Sequence, residues 1–198
     1  MHSLKNKIVS GLIVLGLSLG LMISAVAADF RTTKELAERG NSDAQYDMGY
    51  MYYEGEGVRQ DYAQAMQWFK EAAAQNDAAA QYNIGYMYYE GEGVRQDYAQ
   101  AMQWYIKAAA QNDADAQNNI GTMYFNGLGV SKNYPIARSW YRKAAAQDNA
   151  AAQYNLGYMY EQGEGVAKNS IQAQEWYGKA CDNGSQDGCN GYKILNLQ

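Results

Sequence analysis

The sequence predicts an all-α fold built from tandem copies of one helical hairpin. The segment from Gly49 to Trp68 returns without a change at Gly85 to Trp104, and two looser copies follow at the same spacing of 36 residues. A repeat length of about 20–50 residues is typical of solenoids, in which neighbouring units bury one another's apolar faces. No stretch alternates apolar and polar residues with period two, so no strand is expected. Such arrays act through the extended surface that stacking creates, which makes binding the first functional hypothesis.

The first helix of each unit is predicted from the spacing of its apolar residues. In the first full copy, Ala44, Met48, Met51 and Tyr52 fall on one arc with the i, i+4, i+7, i+8 spacing of an amphipathic helix. Gly55 follows on the same arc and ends the helix, because glycine readily takes the left-handed conformation found at helix C-termini.

The second helix of each unit is predicted to begin at an N-capping side chain. Asp61 is the first such residue, and Gln64 stands three positions later as its capping-box partner. Asp97, Asn133 and Asn169 occupy the same position in the later copies. The predicted buried stripe of the second helix is Tyr62, Ala65, Trp68, Phe69, Ala72 and Ala73.

Four complete hairpins fit the chain, with shorter helices at both ends. The hairpins cover roughly 42–77, 78–113, 114–149 and 150–185. A truncated second helix at 32–40 is expected to cap the front of the array, and a lone first helix at 186–197 is expected to cap the back. The predicted repeat domain is therefore 29–198.

The first 28 residues have the pattern of a secretory signal peptide. Lys5 and Lys7 precede an apolar stretch from Ile8 to Ile23, and small residues follow up to Ala28. The alternative is an N-terminal membrane anchor, but the stretch is short and interrupted by glycine compared with the ~20 apolar residues of a membrane span. We expect cleavage near Ala27 or Ala28, and a periplasmic or secreted mature chain without stable membrane insertion.

Charge and histidine content argue against several classes of function. Loss of Lys5 and Lys7 with the signal peptide lowers the formal net charge from −5 to −7. An acidic chain without a basic stripe is poorly suited to binding nucleic acid. The single histidine, His2, also leaves with the signal peptide, so the mature chain lacks the commonest general base and the commonest metal ligand. No cofactor and no metal site are expected.

The two cysteines, Cys181 and Cys189, lie eight positions apart near the C-terminus. An even number of cysteines in an exported protein favours a disulfide bond. Two free thiols or a metal site are the alternatives, but only Asp182 and Asp187 are near enough in the sequence to complete a set of ligands.

The repeated pattern closely resembles the Sel-like repeat, a relative of the tetratricopeptide repeat. It is Ala-x-x-x-Met-Gly-x-x-Tyr-x-x-Gly-x-Gly-Val-x-x-Asp-x-x-x-Ala-x-x-Trp-x-x-x-Ala-Ala, and the resemblance covers 32–197. It implies a right-handed superhelix of antiparallel helix pairs whose concave face is lined by the first helices. It also implies an adaptor that brings other proteins together. The spacing of Cys181 and Cys189 is similar to that of the bridges in the cysteine-rich proteins of Helicobacter, which join one repeat to the next.

Some of those cysteine-rich relatives are described as penicillin-binding proteins or weak β-lactamases, so an enzyme is the alternative function. A serine acylase of that kind carries Ser-x-x-Lys with Ser-Asp-Asn and Lys-Thr-Gly motifs. None of the three occurs in this chain, and the nearest approach is Ser139-Trp-Tyr-Arg142. No catalytic residue is therefore expected.

Tyrosines form a second face on the first helices, about 180° from the core arc. In the first copy they are Tyr46, Tyr50 and Tyr53, at i, i+4 and i+7. Tyrosine is common at binding hot spots because it buries a large area and keeps a polar tip. The alternative is that the rings pack sideways between hairpins and thicken the core. The predicted partner-binding residues are Tyr46, Tyr50, Tyr53, Tyr82, Tyr86, Tyr89, Thr122, Phe125, Tyr154 and Tyr158.

These observations together predict an exported scaffold that binds a protein or peptide on a tyrosine-lined concave face. Two roles compete within that class: a general adaptor, and an immunity or inhibitor protein that blocks a toxic effector. Asp47, Glu54 and Glu90 flank the tyrosines and point weakly to a basic or polar ligand. The sequence names neither the partner nor the oligomeric state.

Overall fold

The computed structural model describes residues 30–197, and the regular secondary structure of this part is entirely α-helical. The predicted signal peptide, 1–28, lies outside the described residues. Helix α1 covers 30–38. The others are α2 Ser42–Glu54, α3 Tyr62–Ala74, α4 Ala78–Glu90, α5 Tyr98–Ala110, α6 Ala114–Asn126, α7 Tyr134–Ala145, α8 Ala150–Gln162, α9 Ser170–Asp182 and α10 Gln186–Asn196.

The helices form two compact units, one ending at Gln75 and the other beginning at Asn76. In the first unit, α2 packs on α3. In the second, α4 packs on α5, α6 on α7 and α8 on α9, while the contacts of α5 with α6 and of α7 with α8 join successive hairpins. Helix α10 packs on α9 and α8, as a C-terminal cap should. The predicted all-α array of four hairpins with shorter terminal helices is confirmed.

The helix ends follow the predicted chemistry with two corrections. Gly55 ends α2 at φ 77°, and its equivalents Gly91, Gly127 and Gly163 end α4, α6 and α8 in the same left-handed conformation. Asn41 caps α2 with its side chain, a cap that was not predicted.

The predicted capping box at Asp61 forms only by half. The Asp61 carboxylate accepts from the backbone N–H of Gln64 at 3.0 Å, but the N–H of Asp61 donates to the carbonyl of Tyr52 at 2.9 Å. The Gln64 side chain is therefore not needed to satisfy that N–H. The bond to Tyr52 instead ties the loop back to the first helix of the same hairpin, and Asp97 repeats it with Tyr88.

The core differs from the predicted stripes at its edges. Ala65, Phe69, Ala72 and Ala73 are buried as predicted, but Tyr52, Tyr62 and Trp68 are only half-buried. Met66 is buried and was missed. The large rings lie at the edge of each core, where one side packs and the other remains in contact with solvent. Three of the tryptophans carry a lysine over the ring, in the pairs Trp104–Lys107, Trp140–Lys143 and Trp176–Lys179.

A buried glutamine recurs once per repeat, at Gln45, Gln81, Gln117 and Gln153. In the second unit, Gln117 takes part in a closed ring of three amides. Its Nε2 donates to Asn112, the Asn112 Nδ2 donates to Gln147, and the Gln147 Nε2 donates back to the Gln117 Oε1, at 3.2, 2.9 and 3.0 Å. The same ring occurs one repeat earlier, through Asn76, Gln81 and Gln111. These rings satisfy a polar group that would otherwise be buried without a partner.

Cys181 of α9 and Cys189 of α10 form a disulfide bond, with their Cα atoms 4.5 Å apart. The bond fastens the C-terminal cap to the second helix of the last repeat. The N-cap of α10, Ser185, lies between the two cysteines and accepts from the N–H of Gly188. Within residues 30–197, no helix is both long enough and apolar enough to cross a bilayer.

Candidate functional site

The ten predicted partner-binding residues all lie on the first helices of the hairpins, α2, α4, α6 and α8. We call the members within each compact unit the aromatic face of that unit. The most open ring is Tyr50, 42% exposed, in the first unit and Tyr158, 37% exposed, in the second. The other eight residues are half-buried.

The most N-terminal tyrosine of α2, α4 and α8 contacts the second helix of its own hairpin. Tyr82 lies 5.7 Å from the ring of Tyr105, and Tyr154 lies 5.4 Å from that of Tyr177. In the first unit, Tyr46 makes the equivalent contact with Phe69 at 5.8 Å. The expectation that the whole tyrosine arc points away from the partner helix is therefore wrong for these three rings. They join the core to the aromatic face.

The third position of the arc also contacts the second helix, at the first residue of that helix. The pairs are Tyr53–Tyr62 and Tyr89–Tyr98, both at 5.3 Å, and Phe125–Tyr134 at 5.1 Å. In α2 and α4, both ends of the arc are thus held by neighbouring rings. The middle position, which holds Tyr50 and Tyr158, is held least.

Helices α6 and α8 of the second unit enclose a cleft of about 250 Å³ on this face. Four of the predicted residues line it: Thr122 and Phe125 from α6, and Tyr154 and Tyr158 from α8. Phe125 and Tyr158 meet edge to face, with ring centroids 6.0 Å apart. The remaining lining residues are Asn126, Tyr141 and Asn155. We call this site the α6–α8 cleft.

The cleft lies where the third repeat departs from the tyrosine pattern. Thr122 and Asn118 replace the tyrosines that α4 and α8 carry at these positions, so two rings are missing from this part of α6. The Tyr141 hydroxyl donates to the Thr122 Oγ1 at 3.2 Å, and the Asn155 amide donates to the Asn118 Oδ1 at 3.0 Å. Small polar side chains therefore stand where the other repeats have aromatic rings.

Burial and nearby carboxylates raise the pKa values of tyrosine hydroxyls around the cleft. Burial raises the pKa of the Tyr141 hydroxyl to about 12, although the hydrogen bond with Thr122 acts in the opposite direction. Burial also raises the pKa of Tyr154, with a further contribution from the negative charges of Asp187 and Glu161. These hydroxyls are neutral hydrogen-bonding groups at physiological pH.

Sequence reasoning missed three lining residues of the cleft. Asn126 ends α6, Asn155 follows the predicted Tyr154, and Tyr141 had no predicted role. The available signal was the break in the repeat at Asn118 and Thr122. A position where one copy loses a bulky side chain that the others keep is a candidate for an opening on the shared face.

The residues closest to a nucleophile motif in the sequence lie on α7. Residues 30–197 contain no group of three or more His, Cys, Asp and Glu side chains able to hold a metal ion. Ser139, the closest match to a nucleophile motif, is exposed on α7. Lys143 follows it one turn later, but its ammonium lies 4.1 Å from the centre of the Trp140 ring.

Comparison with known proteins agrees with this architecture. The Sel1 repeat model matches residues 42–77, 78–113, 114–149 and 150–185. Comparison with curated proteins gives no match. Among solved structures, a protective antigen of uropathogenic Escherichia coli is similar, with a TM-score of 0.77 and 42% identity over 81% of this chain and 34% of the antigen. The chain therefore spans about a third of the length of that antigen.

Two other similar structures are those of proteins from Helicobacter pylori and Pseudomonas aeruginosa. Cysteine-rich protein B of Helicobacter pylori has a TM-score of 0.53 and 27% identity, over 66% of this chain and 94% of that protein. An immunity protein of Pseudomonas aeruginosa has a TM-score of 0.60 and 21% identity, over 84% of this chain and 65% of that protein. With four matched repeats that together cover more than half of its residues, the chain belongs to the Sel1 repeat family.

Proposed function

We propose that this chain is an exported scaffold that holds a protein or peptide partner on the aromatic face of its first helices. The observation that carries the proposal is the α6–α8 cleft, where predicted residues from two different repeats line one opening. Aromatic side chains at the centre of an interface supply much of the binding energy, because they bury large areas with few rotatable bonds.

The size and shape of the cleft favour a side chain of a protein partner over a small substrate. Its volume of about 250 Å³ lies below the range of roughly 300–1,000 Å³ typical of small-molecule sites. Half-buried rings also lie on α4, the preceding first helix of the same unit. A peptide segment that places one side chain in the cleft and runs over the neighbouring rings uses both features.

The proposed export rests on two features at opposite ends of the chain. The N-terminal basic and apolar segment has the pattern of a signal peptide. The Cys181–Cys189 disulfide bond is of a kind that persists in oxidising compartments and is rare in the cytosol. Together these features support periplasmic or secreted localisation.

Site-specific photo-crosslinking in cells tests the proposed surface. A photoreactive amino acid replaces Asn126, which is exposed at the mouth of the cleft, in the full-length chain expressed in its source organism. We expect a discrete crosslinked species that Tyr158→Ala removes. The matched control carries the same group at Ser139, which is exposed on α7. The same crosslinked species from both positions, or none from Asn126, would overturn the proposal.

An immunity or inhibitor role is the finer form of this proposal. The similar structure from Pseudomonas aeruginosa is named an immunity protein, and the likeness at 21% identity concerns the fold. In this role the crosslinked partner is a toxic effector, and its toxicity is suppressed by the wild-type chain and not by Tyr158→Ala. A general adaptor captures a partner that is harmless when expressed alone.

The alternative enzyme, a penicillin-binding protein or weak β-lactamase, predicts a covalent acyl intermediate on a serine. The purified mature chain with a chromogenic β-lactam tests it directly. We expect no hydrolysis and no mass increase. Hydrolysis by the wild-type chain that is lost in Ser139→Ala would overturn the scaffold proposal in favour of an enzyme.

A further inference from the structure

The two helices of each hairpin differ in their basic residues. The first helices, α2, α4, α6 and α8, carry acidic residues and not one lysine or arginine. The second helices carry basic residues together with three acidic ones, and the loops between the two helices add Arg59, Arg95, Lys132 and Lys168. The acidic residues of the first helices are Asp43, Asp47, Glu54, Glu90, Asp115 and Glu161, and the basic residues of the second helices are Lys70, Lys107, Arg138, Arg142, Lys143 and Lys179.

Carboxylates from the first helices, from the N-cap of α6 and from α10 lie beside the aromatic face. In the second unit, burial raises the pKa of Tyr82 to about 12, and Asp115 and Asp113 contribute to the same shift. At Tyr154 the contributing carboxylates are Asp187 and Glu161. The Glu161 carboxylate accepts a hydrogen bond from the Tyr177 hydroxyl at 2.7 Å. Glu161 belongs to α8, the helix that forms one wall of the cleft. Carboxylates therefore lie close to Tyr82 and Tyr154, while Lys132 lies over the ring of Tyr134 on the Phe125 side of the cleft.

Aromatic ring faces bordered by carboxylates suit one ligand chemistry above others. The face of a ring attracts a cation, and the attraction is strongest where the site is partly removed from water. A lysine or arginine side chain also brings an apolar stem that packs on rings while its head reaches polar groups. An anionic segment would be repelled by the same carboxylates.

We propose that the α6–α8 cleft receives a lysine or arginine side chain from a basic segment of the partner, a step that rests on the scaffold function proposed above. The stem packs between Phe125 and Tyr158. The cationic head, which only donates hydrogen bonds, meets the Thr122 hydroxyl oxygen and the amide oxygens of Asn126 and Asn155. Glu161 supplies the nearby negative charge.

Fluorescence anisotropy with labelled eight-residue peptides tests the preference. The probes are octalysine, octaglutamine and octaglutamate, each added to the mature chain with its disulfide bond intact. We expect octalysine to bind at least ~10-fold more tightly than octaglutamine, and octaglutamate not to bind. Equal affinity for the lysine and glutamine peptides would overturn the inference.

Three variants separate a ring-specific site from general attraction to an acidic protein. Tyr158→Phe keeps the ring and should keep the octalysine affinity within about twofold. Tyr158→Leu keeps apolar bulk without a ring and should weaken binding by about fivefold or more. Tyr192 has a similar exposure of 39% on α10, and Tyr192→Leu should change nothing. Equal affinities of all three variants would mean that octalysine binds elsewhere, against the proposal.

Competition in the Asn126 crosslinking experiment separates failure of this inference from failure of the scaffold proposal. We expect excess octalysine to prevent the crosslink. A partner that is captured through Tyr158 but not displaced by octalysine would overturn the basic-segment inference and leave the scaffold standing. Octalysine binding at Tyr158 without any captured partner would overturn the scaffold and leave the cation preference of the cleft standing.

Discussion

The ring of Tyr141 lies directly against the backbone of Gly121, so that a Cβ atom added to the glycine would stand 2.6 Å from the ring Cδ1. The same contact joins Gly49 to Phe69, Gly85 to Tyr105 and Gly157 to Tyr177. The glycine of each first helix therefore sets how closely the two helices of a hairpin approach. It also fixes the buried ring whose hydroxyl, in Tyr141, forms part of the α6–α8 cleft.

Gly121→Ala should destabilise the protein, although alanine is the better helix former. The added methyl group must displace a ring that is 2% exposed, and overpacking of this kind costs about 1–3 kcal/mol. Urea unfolding followed by circular dichroism measures the change. Gly178→Ala is the matched control, because the nearest atoms, 3.3 Å away, belong to the exposed ring of Tyr192. We expect that variant to be neutral or slightly stabilised. If Gly121→Ala leaves the free energy of unfolding unchanged, α6 and α7 separate easily enough to admit the methyl group.

The amide ring around Gln117 should contribute modestly to stability. Gln117→Leu removes its hydrogen bonds but fills nearly the same space, and the partners Asn112 and Gln147 are exposed enough to regain bonds to water. We expect a loss of about 0.5–1.5 kcal/mol, the usual net value of a hydrogen bond. Gln103→Leu, on the exposed side of α5, should stay within about 0.5 kcal/mol. If Gln117→Leu is instead more stable than wild type, the amide ring fixes the register of the hairpins and does not add stability.

Breaking the Cys181–Cys189 bond should loosen the C-terminal cap first. Closing so short a loop stabilises by roughly 2–3 kcal/mol in the chain-entropy description. Because repeat stabilities are nearly local, the loss should concentrate in α10 and the adjoining end of α9. Hydrogen exchange of Cys181→Ser/Cys189→Ser measures it, with α4 as the internal control. Equal loss of protection in α4 and α10 would contradict a local effect.

Much of the fold follows from features that act within one hairpin. The turn at Gly55 and the N-cap at Asp61 depend on local backbone geometry, so the sequence alone locates both helix ends. The 36-residue spacing then fixes the remaining copies. The cap at Asn41 was missed because Asn41 and Ser42 are adjacent and both residue types favour that position.

Features that depend on residues far apart in the sequence could not be predicted in this way. The sequence alone predicts a surface position for the polar Gln117. Its burial is possible because Gln147, thirty positions later, donates a hydrogen bond to its amide oxygen. Trp68 reads as core because of its size, but a large ring at the edge of a hairpin is covered on one side only. The cleft likewise required the spatial relation of α6 to α8, which helical periodicity within one segment does not contain.

Alkaline pH should unfold the protein partly through Tyr141. Its pKa is raised by burial to about 12 in the folded state, whereas an unfolded tyrosine titrates near 10. The folded state therefore binds this proton more tightly, and the associated stability is complete below pH ~10 and lost as the pH rises toward ~12. Urea unfolding at several pH values should show a smaller loss across this window for Tyr141→Phe than for wild type. If the free energies of unfolding of wild type and Tyr141→Phe fall in parallel with pH, the pKa of the Tyr141 hydroxyl is not raised by folding.

Tyr50 and Tyr52 lie two residues apart on α2 and should respond oppositely to substitution by alanine. Tyr50 is 42% exposed and stacks only loosely on Tyr46, at 6.5 Å between ring centroids. Tyr52 is half-buried, meets Phe30 edge to face at 6.0 Å and packs on the core formed with Met48 and Met51. Removing the Tyr52 ring therefore exposes core side chains, whereas removing the Tyr50 ring exposes little.

We expect Tyr50→Ala to change the free energy of unfolding by about 0.5 kcal/mol or less. If Tyr50 is a hot spot of the aromatic face, the same variant loses about 2 kcal/mol of partner binding. Tyr52→Ala should lower the melting temperature and, below that temperature, retain partner affinity. Differential scanning calorimetry and a binding titration with the crosslinked partner measure both. If Tyr50→Ala destabilises as much as Tyr52→Ala, the ring of Tyr50 belongs to the core and is not part of a binding face.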